Sequence, residues 1–160
     1  MTIKIRLLEK KDEPELFAIL RNTPEFTAGE VVIAEEVIDD SLDNPQTSGY
    51  YSLTAENEDG QIIGFVSYGP IPLTAYAWDI YWLDVKHEFQ GCGTGASLLK
   101  AAEENILQEG GKMAFIETSG KPEYDKTRRF YTARGYSEIC NIPDFYAPGD
   151  SKIIYRKFLG

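Results

Sequence analysis

Residues 90–96 read Gln-Gly-Cys-Gly-Thr-Gly-Ala, a composition suited to binding phosphate through the main chain. The segment lies between a predicted strand and a predicted helix, so the first N–H groups of that helix have no intrahelical partners and point at the loop. Together with the helix dipole, these groups favour an anion. The glycines at 91, 93 and 95 permit positive φ angles and lack the Cβ atoms that would hold a phosphate away. The loop therefore predicts a diphosphate ligand that needs no basic side chain.

A dinucleotide is one class of diphosphate ligand that fits this loop. Gly91, Gly93 and Ala96 match the G-x-G-x-x-G/A pattern, and Glu117 lies 21 residues after Ala96, near the position of a ribose-binding acid. Against this interpretation, residues 86–89 separate the loop from its strand, and too little chain follows Glu117 for a second mononucleotide-binding half. An NAD(P)-binding oxidoreductase remains an alternative.

Strands and helices alternate around the loop. Asp12 and Thr27 each begin a capping box that predicts the start of a helix, and Asp59-Gly60 predicts a hairpin turn. Alternating and β-branched or aromatic residues predict the strands. The predicted strands are residues 3–8, 50–56, 61–68, 77–85, 113–118 and 153–158, the helices after the loop are 96–108 and 124–133, and residues 141–150 are the predicted connection to the last strand.

Composition limits the classes of protein to consider. The 160 residues, 42% of them hydrophobic, suit a single domain over residues 1–160 with a buried core. No apolar run reaches the about 18 residues that a membrane helix needs, and the N-terminus does not resemble a signal peptide. Two cysteines and one histidine predict neither a disulfide framework nor a metal site. We therefore expect a cytoplasmic protein without metal or membrane, and the net charge of −10 argues against a nucleic-acid partner.

Two segments together resemble a known family. Gln90 to Gly95 is similar to the signature Q/R-x-x-G-x-G/A, and Phe130 to Tyr136 is similar to F-Y-x-x-x-G-F/Y. Both belong to the GNAT superfamily of acyl-CoA N-acyltransferases, and the order of predicted elements extends the resemblance over nearly the whole chain. The resemblance implies an α/β (α+β) fold, with a mixed, mostly antiparallel sheet of six to seven strands and about four helices on both faces. It also implies acetyl transfer from acetyl-CoA to a primary amine by direct attack.

The resemblance implies which residues bind the coenzyme. In this family the strand before the loop diverges from the next strand, and pantetheine lies in the gap. Many members have an asparagine seven residues before the family's tyrosine; here that position is Tyr124, a coenzyme-binding candidate although the amide group is absent. The main-chain candidates are Leu83 and Val85 for pantetheine and the acyl carbonyl, and Gln90, Gly91, Cys92, Gly93, Thr94, Gly95 and Ala96 for the diphosphate.

Tyr131 occupies the position of the family's tyrosine, which implies that it donates a proton to the leaving thiolate. A base is also expected, because an alkyl amine with a pKa near 10.4 is only about 0.04% neutral at pH 7. Asp79, on the strand at 77–85, is the preferred base, and Glu117 is the next candidate. Strict alternation along that strand places Asp79 on one face and Asp84 on the other.

The expected acceptor carries a positive charge. Residues 1–60 contain 14 Asp and Glu but only 5 Lys and Arg, a net charge of −9. In the family, the first two helices and the loop before the last strand form the acceptor pocket, and acidic and aromatic residues there suit an ammonium group. We expect a small-molecule amine or a protein lysine; a coenzyme A-binding module without activity is a further alternative, and a homodimer is the assembly we consider. The candidate acceptor residues are Glu30, Glu35, Glu36, Asp39, Asp40, Asp144, Phe145 and Tyr146.

Overall fold

A computed structural model describes all residues from 1 to 160, and seven strands and four α-helices form the fold. The strands are β1 (Lys4–Leu7), β2 (Tyr51–Glu56), β3 (Ile62–Pro70), β4 (Ala77–Val85), β5 (Met113–Ser119), β6 (Ser137–Ala147) and β7 (Asp150–Phe158). The helices are α1 (Glu13–Arg21), α2 (Ala28–Asp43), α3 (Thr94–Gln108) and α4 (Asp125–Thr132), with short 3₁₀ turns at Lys10–Asp12, His87–Phe89 and Pro122–Tyr124.

All seven strands form one sheet in the order β1-β2-β3-β4-β5-β7-β6. Every neighbouring pair is antiparallel except β4 and β5, which are parallel. This topology confirms the mixed, mostly antiparallel sheet. A dinucleotide-binding fold requires a largely parallel sheet built from two similar halves, so the alternative of an NAD(P)-binding oxidoreductase is wrong for this fold.

Helices cover both faces of the sheet, as predicted. On one face, α3 and α4 bury the larger core, in which Leu98, Leu99 and Tyr131 pack against the sheet. On the other face, α1 and α2 bury a smaller core with Phe65 of β3. Apolar residues of α1 and α2 supply most of this second core, because residues three or four apart share one face of a helix. The members of the second core are Leu16, Ile19, Leu20, Ala34, Ile38, Ile62 and Phe65.

The two predicted capping boxes have different outcomes. Thr27 caps α2 as expected, since its hydroxyl accepts a hydrogen bond from the main-chain N–H of Glu30 at 3.2 Å. The box predicted at Asp12 is wrong, because the Asp12 side chain makes no cap hydrogen bond to α1. Its carboxylate instead accepts two hydrogen bonds from the Arg6 guanidinium, at 2.7 and 2.9 Å, and one from the Glu9 N–H at 2.9 Å. A charged partner from β1 therefore outcompetes the local cap.

The segment predicted as a connection at 141–150 is mostly strand β6. The register of β6 against β7 shifts between Glu138 and Cys140 and again between Ile142 and Ala147. Pro143 lies within the second shift, where a residue without an N–H is tolerated because β6 is the outer strand. The proline concealed this strand from pattern analysis.

A bulge in β4 determines which residues face the site. Ser67 of β3 pairs with Trp82 and Tyr68 pairs with Ile80, so Tyr81 is an extra residue in β4. Directly opposite residues of antiparallel strands point to the same face. Phe65, a member of the α1–α2 core, pairs with Asp84, which therefore faces α1 and α2.

Asp79 faces the same helices, because its neighbour Ile80 belongs to the opposite core. The prediction that Asp79 and Asp84 lie on opposite faces is therefore wrong. Strict alternation fails because one additional residue separates the two halves of the strand.

Candidate active site

One cavity of about 1110 Å³ joins the segments that the sequence analysis singled out. The glycine-rich loop at 90–96 lies at one end, and the second half of β4 forms one side. Residues 22–27, called the connection below because they link α1 to α2, form another wall. The first turns of α2 and the end of β6 close the other end of the cavity.

A gap opens where β4 and β5 diverge. The two strands pair only from Ala77 opposite Met113 to Ile80 opposite Ile116. Beyond these pairs β4 continues to Val85 and β5 to Ser119 without pairing between the two strands. Leu83 and Val85 line the cavity at this gap, on the side where a pantetheine arm was expected. Their contact with the coenzyme remains a prediction.

The loop presents main-chain N–H groups that the protein does not use. No hydrogen bond within the chain involves the N–H groups of residues 91–96, whereas the Gln90 N–H already donates to the His87 carbonyl at 3.2 Å. Gly91 and Gly93 have φ angles of 76° and 86°, and a Cβ atom on either would meet no other atom within 4 Å. Six unpaired amides at the start of α3, with open space beside Gly91 and Gly93, fit an anionic diphosphate.

The side chains of the loop contribute to packing and not to the anion site. A Cβ atom on Gly95 would approach the Phe130 ring at 3.3 Å, so this glycine permits close packing of the loop against α4. The Gln90 side chain donates from Nε2 to the Val85 carbonyl at 3.1 Å, which ties the loop to the end of β4. Cys92 is exposed and Thr94 is buried, and neither side chain lines the cavity. Only the main chain of these two residues is placed to contribute.

Two cationic side chains that line the cavity, Lys121 and Arg134, were not predicted from the sequence, and Lys126 lines the cavity with them. The Arg134 guanidinium stacks on the Phe130 ring, 3.7 Å from its centroid, and donates to the Phe130 carbonyl at 2.9 Å. The four-residue spacing of Phe130 and Arg134 at the end of a helix is the signal that could have revealed this pair.

Tyr131 lines the cavity with a hydroxyl that has no partner in the protein. Its side chain lines the cavity although the residue is only 7% exposed. No group of the protein makes a hydrogen bond with its hydroxyl, while its ring packs against those of Phe130 and Tyr136. Burial raises the pKa of Tyr131, so the phenol stays neutral at physiological pH. The hydroxyl is thus free to donate to a bound molecule.

Asp79 and Glu117 face the cavity from the two diverging strands. Burial and, to a smaller extent, the negative charge of Glu117 raise the pKa of Asp79 to about 6. Glu117 is exposed and lies 3.1 Å from Lys152 Nζ. A carboxylate with a pKa near neutrality is suited to accept a proton, so the arrangement favours Asp79 over Glu117 as the base.

Asp84 is a second carboxyl group in the cavity wall, at only 6% exposure. Its Oδ2 atom lies 2.5 Å from Thr23 Oγ1, and its Oδ1 atom accepts from the Val85 N–H at 2.9 Å. Burial raises the pKa of Asp84 to about 7. Strict alternation along β4 had placed Asp84 on the face opposite to Asp79, so it was not among the predicted site residues.

Tyr124 lines the cavity, but its hydroxyl is engaged by the protein. The phenol donates to the main-chain carbonyl of Glu25 at 2.8 Å, so it joins the start of α4 to the connection. Burial, followed by the negative charges of Glu30 and Glu25, raises the pKa of Tyr124 to about 12. Its ring remains a candidate contact for the coenzyme, while its hydroxyl has a structural partner.

Only two of the predicted acceptor residues, Glu30 and Tyr146, line the cavity. Glu35 pairs with Arg21 at 2.7 Å instead, and the Asp144 carboxylate accepts from the Gly149 N–H at 2.7 Å. Acidic residues of other elements line the cavity together with Glu30 and Tyr146. The predicted residues outside the cavity are Glu35, Glu36, Asp39, Asp40, Asp144 and Phe145, and the additional acids in its wall are Glu25, Asp79, Asp84, Glu117, Glu123 and Asp150.

Two further observations describe the chain as a whole. No group of three or more His, Cys, Asp or Glu side chains is arranged to hold a metal ion. No helix has the length and apolar character needed to cross a membrane.

Comparisons with known proteins concern the family and the fold. The family model described as Acetyltransferase (GNAT) domain matches residues 48–138. A solved structure from Desulfovibrio desulfuricans, assigned to the GNAT family of acetyltransferases, is 33% identical with a TM-score of 0.94, over 99% of this chain and 100% of that chain. The comparison with curated proteins gave no match.

More distant structures share the fold. The ribosomal-protein-S18-alanine N-acetyltransferase of Escherichia coli is 16% identical with a TM-score of 0.79, over 99% of this chain and 95% of that one. An aminoglycoside 6′-N-acetyltransferase solved with coenzyme A is 17% identical with a TM-score of 0.77, over 97% of this chain and 96% of that one. At these identities the likeness concerns the fold alone.

Proposed function

Because the chain belongs to the GNAT family of acetyltransferases, which take the acetyl group from acetyl-CoA, we propose that it acetylates a primary amine that is positively charged in solution. The observation that carries the proposal is the joining of three parts in one cavity. These parts are the unpaired amides of residues 91–96, the free hydroxyl of Tyr131 and the carboxylate of Asp79.

The coenzyme end of the cavity acts through the main chain. The amides of residues 91–96 bind the diphosphate, and Arg134 and Lys126 add positive charge beside it. The second half of β4 offers Leu83 and Val85 to the pantetheine arm within the gap. Bound in this way, acetyl-CoA supplies an activated thioester next to Tyr131.

Two side chains take part in the proton transfers of the reaction. Asp79 accepts a proton from the acceptor ammonium, which frees the nitrogen lone pair. As the N–C bond forms, the C–S bond breaks, and Tyr131 donates its phenolic proton to the departing sulfur. After the N–C bond has formed, the nitrogen loses the second proton that the amide does not retain, and this proton restores the phenol of Tyr131. The proton held by Asp79 is released to solvent, so one proton is released overall for each ammonium that is acetylated.

The acceptor end favours a cation. Glu30 and Asp150 face the cavity there together with Asp79 and Glu117. Tyr50 and Tyr81 pack edge to face, with ring centroids 5.4 Å apart, and Tyr146 also lines the cavity. Negative charge and aromatic faces attract an ammonium group. We propose small polyamine-like or amino-acid-like amines, or the lysine of a protein, as acceptors.

A thermal-shift comparison tests the coenzyme. Acetyl-CoA at about 100 times its Kd should stabilise the protein by about 2.7 kcal/mol, whereas NAD and NADP should not change the melting temperature. Stabilisation by the dinucleotides alone would exclude the proposal.

An assay of thiol release across a panel of amines and lysine peptides then tests the reaction. Cationic amines should release free coenzyme A, and anionic acceptors should not. If acetyl-CoA binds but no amine releases thiol, the protein is a coenzyme A-binding module without this activity.

We also propose a cytoplasmic location, where Cys92 and Cys140 stay reduced. Both are free thiols, and Cys92 is exposed in the loop. Fractionation of cells with thiol labelling of Cys92 tests this; recovery from an oxidising compartment would contradict it.

A further inference from the structure

The connection, residues 22–27, reaches β4 through side chains. Thr23 Oγ1 lies 2.5 Å from Asp84 Oδ2, and Phe26 packs edge to face on Trp82 with ring centroids 5.4 Å apart. Both β4 residues face the connection because the bulge reverses the alternation of the strand. Thr23 and Phe26 also line the cavity. The position of this wall therefore depends on its contact with Asp84.

Asp84 has no positive partner. It takes part in no ion pair, and Lys86, the first residue after β4, lies 3.0 Å from Glu15 of α1. Glu25 of the connection adds a negative charge that raises its pKa further. Tyr131 of α4 faces it across the cavity as a neutral phenol. A buried carboxylate without a counter-charge is unfavourable. The hydrogen bonds from Thr23 and from the Val85 N–H lower the pKa of Asp84, but by less than burial raises it, so the neutral acid is the favoured form below about pH 7.

The hydrogen bonds of Thr23 also suit the neutral acid. Its hydroxyl lies 2.9 Å from the Ile19 carbonyl and 2.5 Å from Asp84, but a hydroxyl has a single proton to donate. When Asp84 is protonated, its Oδ2–H donates to Thr23 Oγ1, and Thr23 donates to Ile19. When Asp84 is ionised, the hydroxyl of Thr23 can donate either to the carboxylate of Asp84 or to the carbonyl of Ile19, and the other oxygen is left without this donor.

We propose that Asp84 is a positioning residue that holds the connection against β4 when it is protonated and loosens it when it is ionised. The connection carries Glu25, Phe26 and Thr27 into the cavity wall and leads directly into Glu30 of α2. Asp84 therefore acts on acceptor binding through this wall and not through the reacting atoms. The effect on acceptor binding rests on the proposed function, whereas the loosening is a property of the free protein.

The sign of the pH dependence follows from linkage. An open connection exposes Asp84 to water and returns its pKa toward its ordinary value of about 4, while the closed form keeps it at about 7. Between these values the open form binds fewer protons, so the opening constant rises about tenfold per pH unit. Above pH 7 both forms are ionised and the constant stays level. From pH 5 to pH 8 the opening constant should rise about 100-fold.

Native-state hydrogen exchange tests this without any substrate. The N–H groups of Thr23 and Phe26 report on the connection, since they donate to the carbonyls of Leu20 and Thr23, both at 3.2 Å. After correction for intrinsic exchange rates, their opening constants should rise about 100-fold from pH 5 to pH 8. A level profile in the wild-type protein would overturn the proposal. An equal rise in the opening constants of core amides in β3 would also overturn the proposal, because the ionisation of Asp84 would then destabilise the whole fold.

Matched variants sharpen the test. In Asp84→Asn, the amide Nδ2 donates to Thr23 and Oδ1 still accepts from Val85, so the variant mimics the protonated acid and should show a level profile. Thr23→Ser keeps the hydroxyl and should follow the wild type. A 100-fold rise that persists in Asp84→Asn would contradict the assignment to Asp84.

A kinetic measurement extends the test to the acceptor. The ratio of the acceptor KM in the wild type to that in Asp84→Asn cancels the ionisation of the acceptor itself. This ratio should rise between pH 5 and pH 7. The corresponding ratio of the KM values for acetyl-CoA should stay constant over the same pH range. A constant ratio would refute the role in acceptor binding. If exchange behaves as expected but no amine is acetylated, the proposed function fails and the loosening of the connection stands.

Discussion

Replacing Tyr131 with phenylalanine separates the chemical step from the fold. The side chain is buried, and its hydroxyl makes no hydrogen bond within the protein. The variant therefore breaks no bond, and the free energy of unfolding should change by less than about 1 kcal/mol. The binding of acetyl-CoA through the amides of residues 91–96 should not change either.

Turnover should fall sharply in the same variant. A positioned general acid contributes about 100- to 10,000-fold to a rate, which corresponds to about 3–5 kcal/mol of activation free energy. Steady-state kcat, the melting temperature and the Kd of acetyl-CoA are the three measurements needed. The expected pattern is a large loss in kcat with the other two almost constant.

Tyr136→Phe provides a matched control, because Tyr136 contacts Tyr131 but does not line the cavity. Its hydroxyl donates to Glu103 Oε1 at 2.8 Å. Losing a hydrogen bond to a charged group should lower stability by about 1.5–3 kcal/mol, with little change in kcat. The reasoning about Tyr131 is refuted if Tyr131→Phe keeps kcat within about threefold of the wild type, or if its loss of activity is matched by loss of coenzyme binding.

Three more substitutions, the last with a matched control, test other parts of the site. Because Asp79 accepts a proton only when ionised, kcat at saturating acceptor should rise with pH through about 6. Asp79→Asn should be slower and lack this rise, and a kcat profile equal to that of the wild type would exclude Asp79 as the base. Gly93→Ala should lower stability by about 1–2 kcal/mol, since its φ of 86° strains a residue with a Cβ atom, and should reduce the thermal shift given by acetyl-CoA; an undiminished shift would contradict the role of the loop. Glu30→Gln should raise the KM of a cationic acceptor by about fivefold, the equivalent of about 1 kcal/mol, and less so at high salt. Glu36→Gln, on the same helix but outside the cavity, should leave that KM unchanged, and equal effects of the two would argue against the acceptor pocket.

Local patterns predicted much of the fold. The strand predicted at 77–85 has the bounds of β4 because aromatic and branched residues mark its whole length. The helix after the loop begins at Thr94 and not at 96, with Gly93 as its N-cap. Because the segment around Gly93 is rich in glycine, its composition predicts a loop up to residue 96. Elements defined by their own residues were therefore accessible, with small errors at the ends.

Features that depend on distant partners were not accessible. The bulge at Tyr81 is decided by the pairing of β4 with β3, and no pattern within β4 marks it. The acids of α2 were expected to act together, but Arg21 binds Glu35, and only Glu30 reaches the cavity. The bond from Tyr124 to Glu25 joins residues 99 positions apart. Charge and spacing along the chain do not reveal which partner a side chain finds.

The two register shifts of β6 affect how the protein behaves at high concentration. An outer strand has unpaired main-chain groups that can serve as a template for strands of other molecules. β6 also exposes Ile139, Ile142 and Phe145, which would favour such stacking. Its ladder is interrupted twice, and Pro143 has no N–H to offer to a neighbour. The irregular edge thus opposes aggregation on the side of the sheet where no helix or further strand covers the main chain.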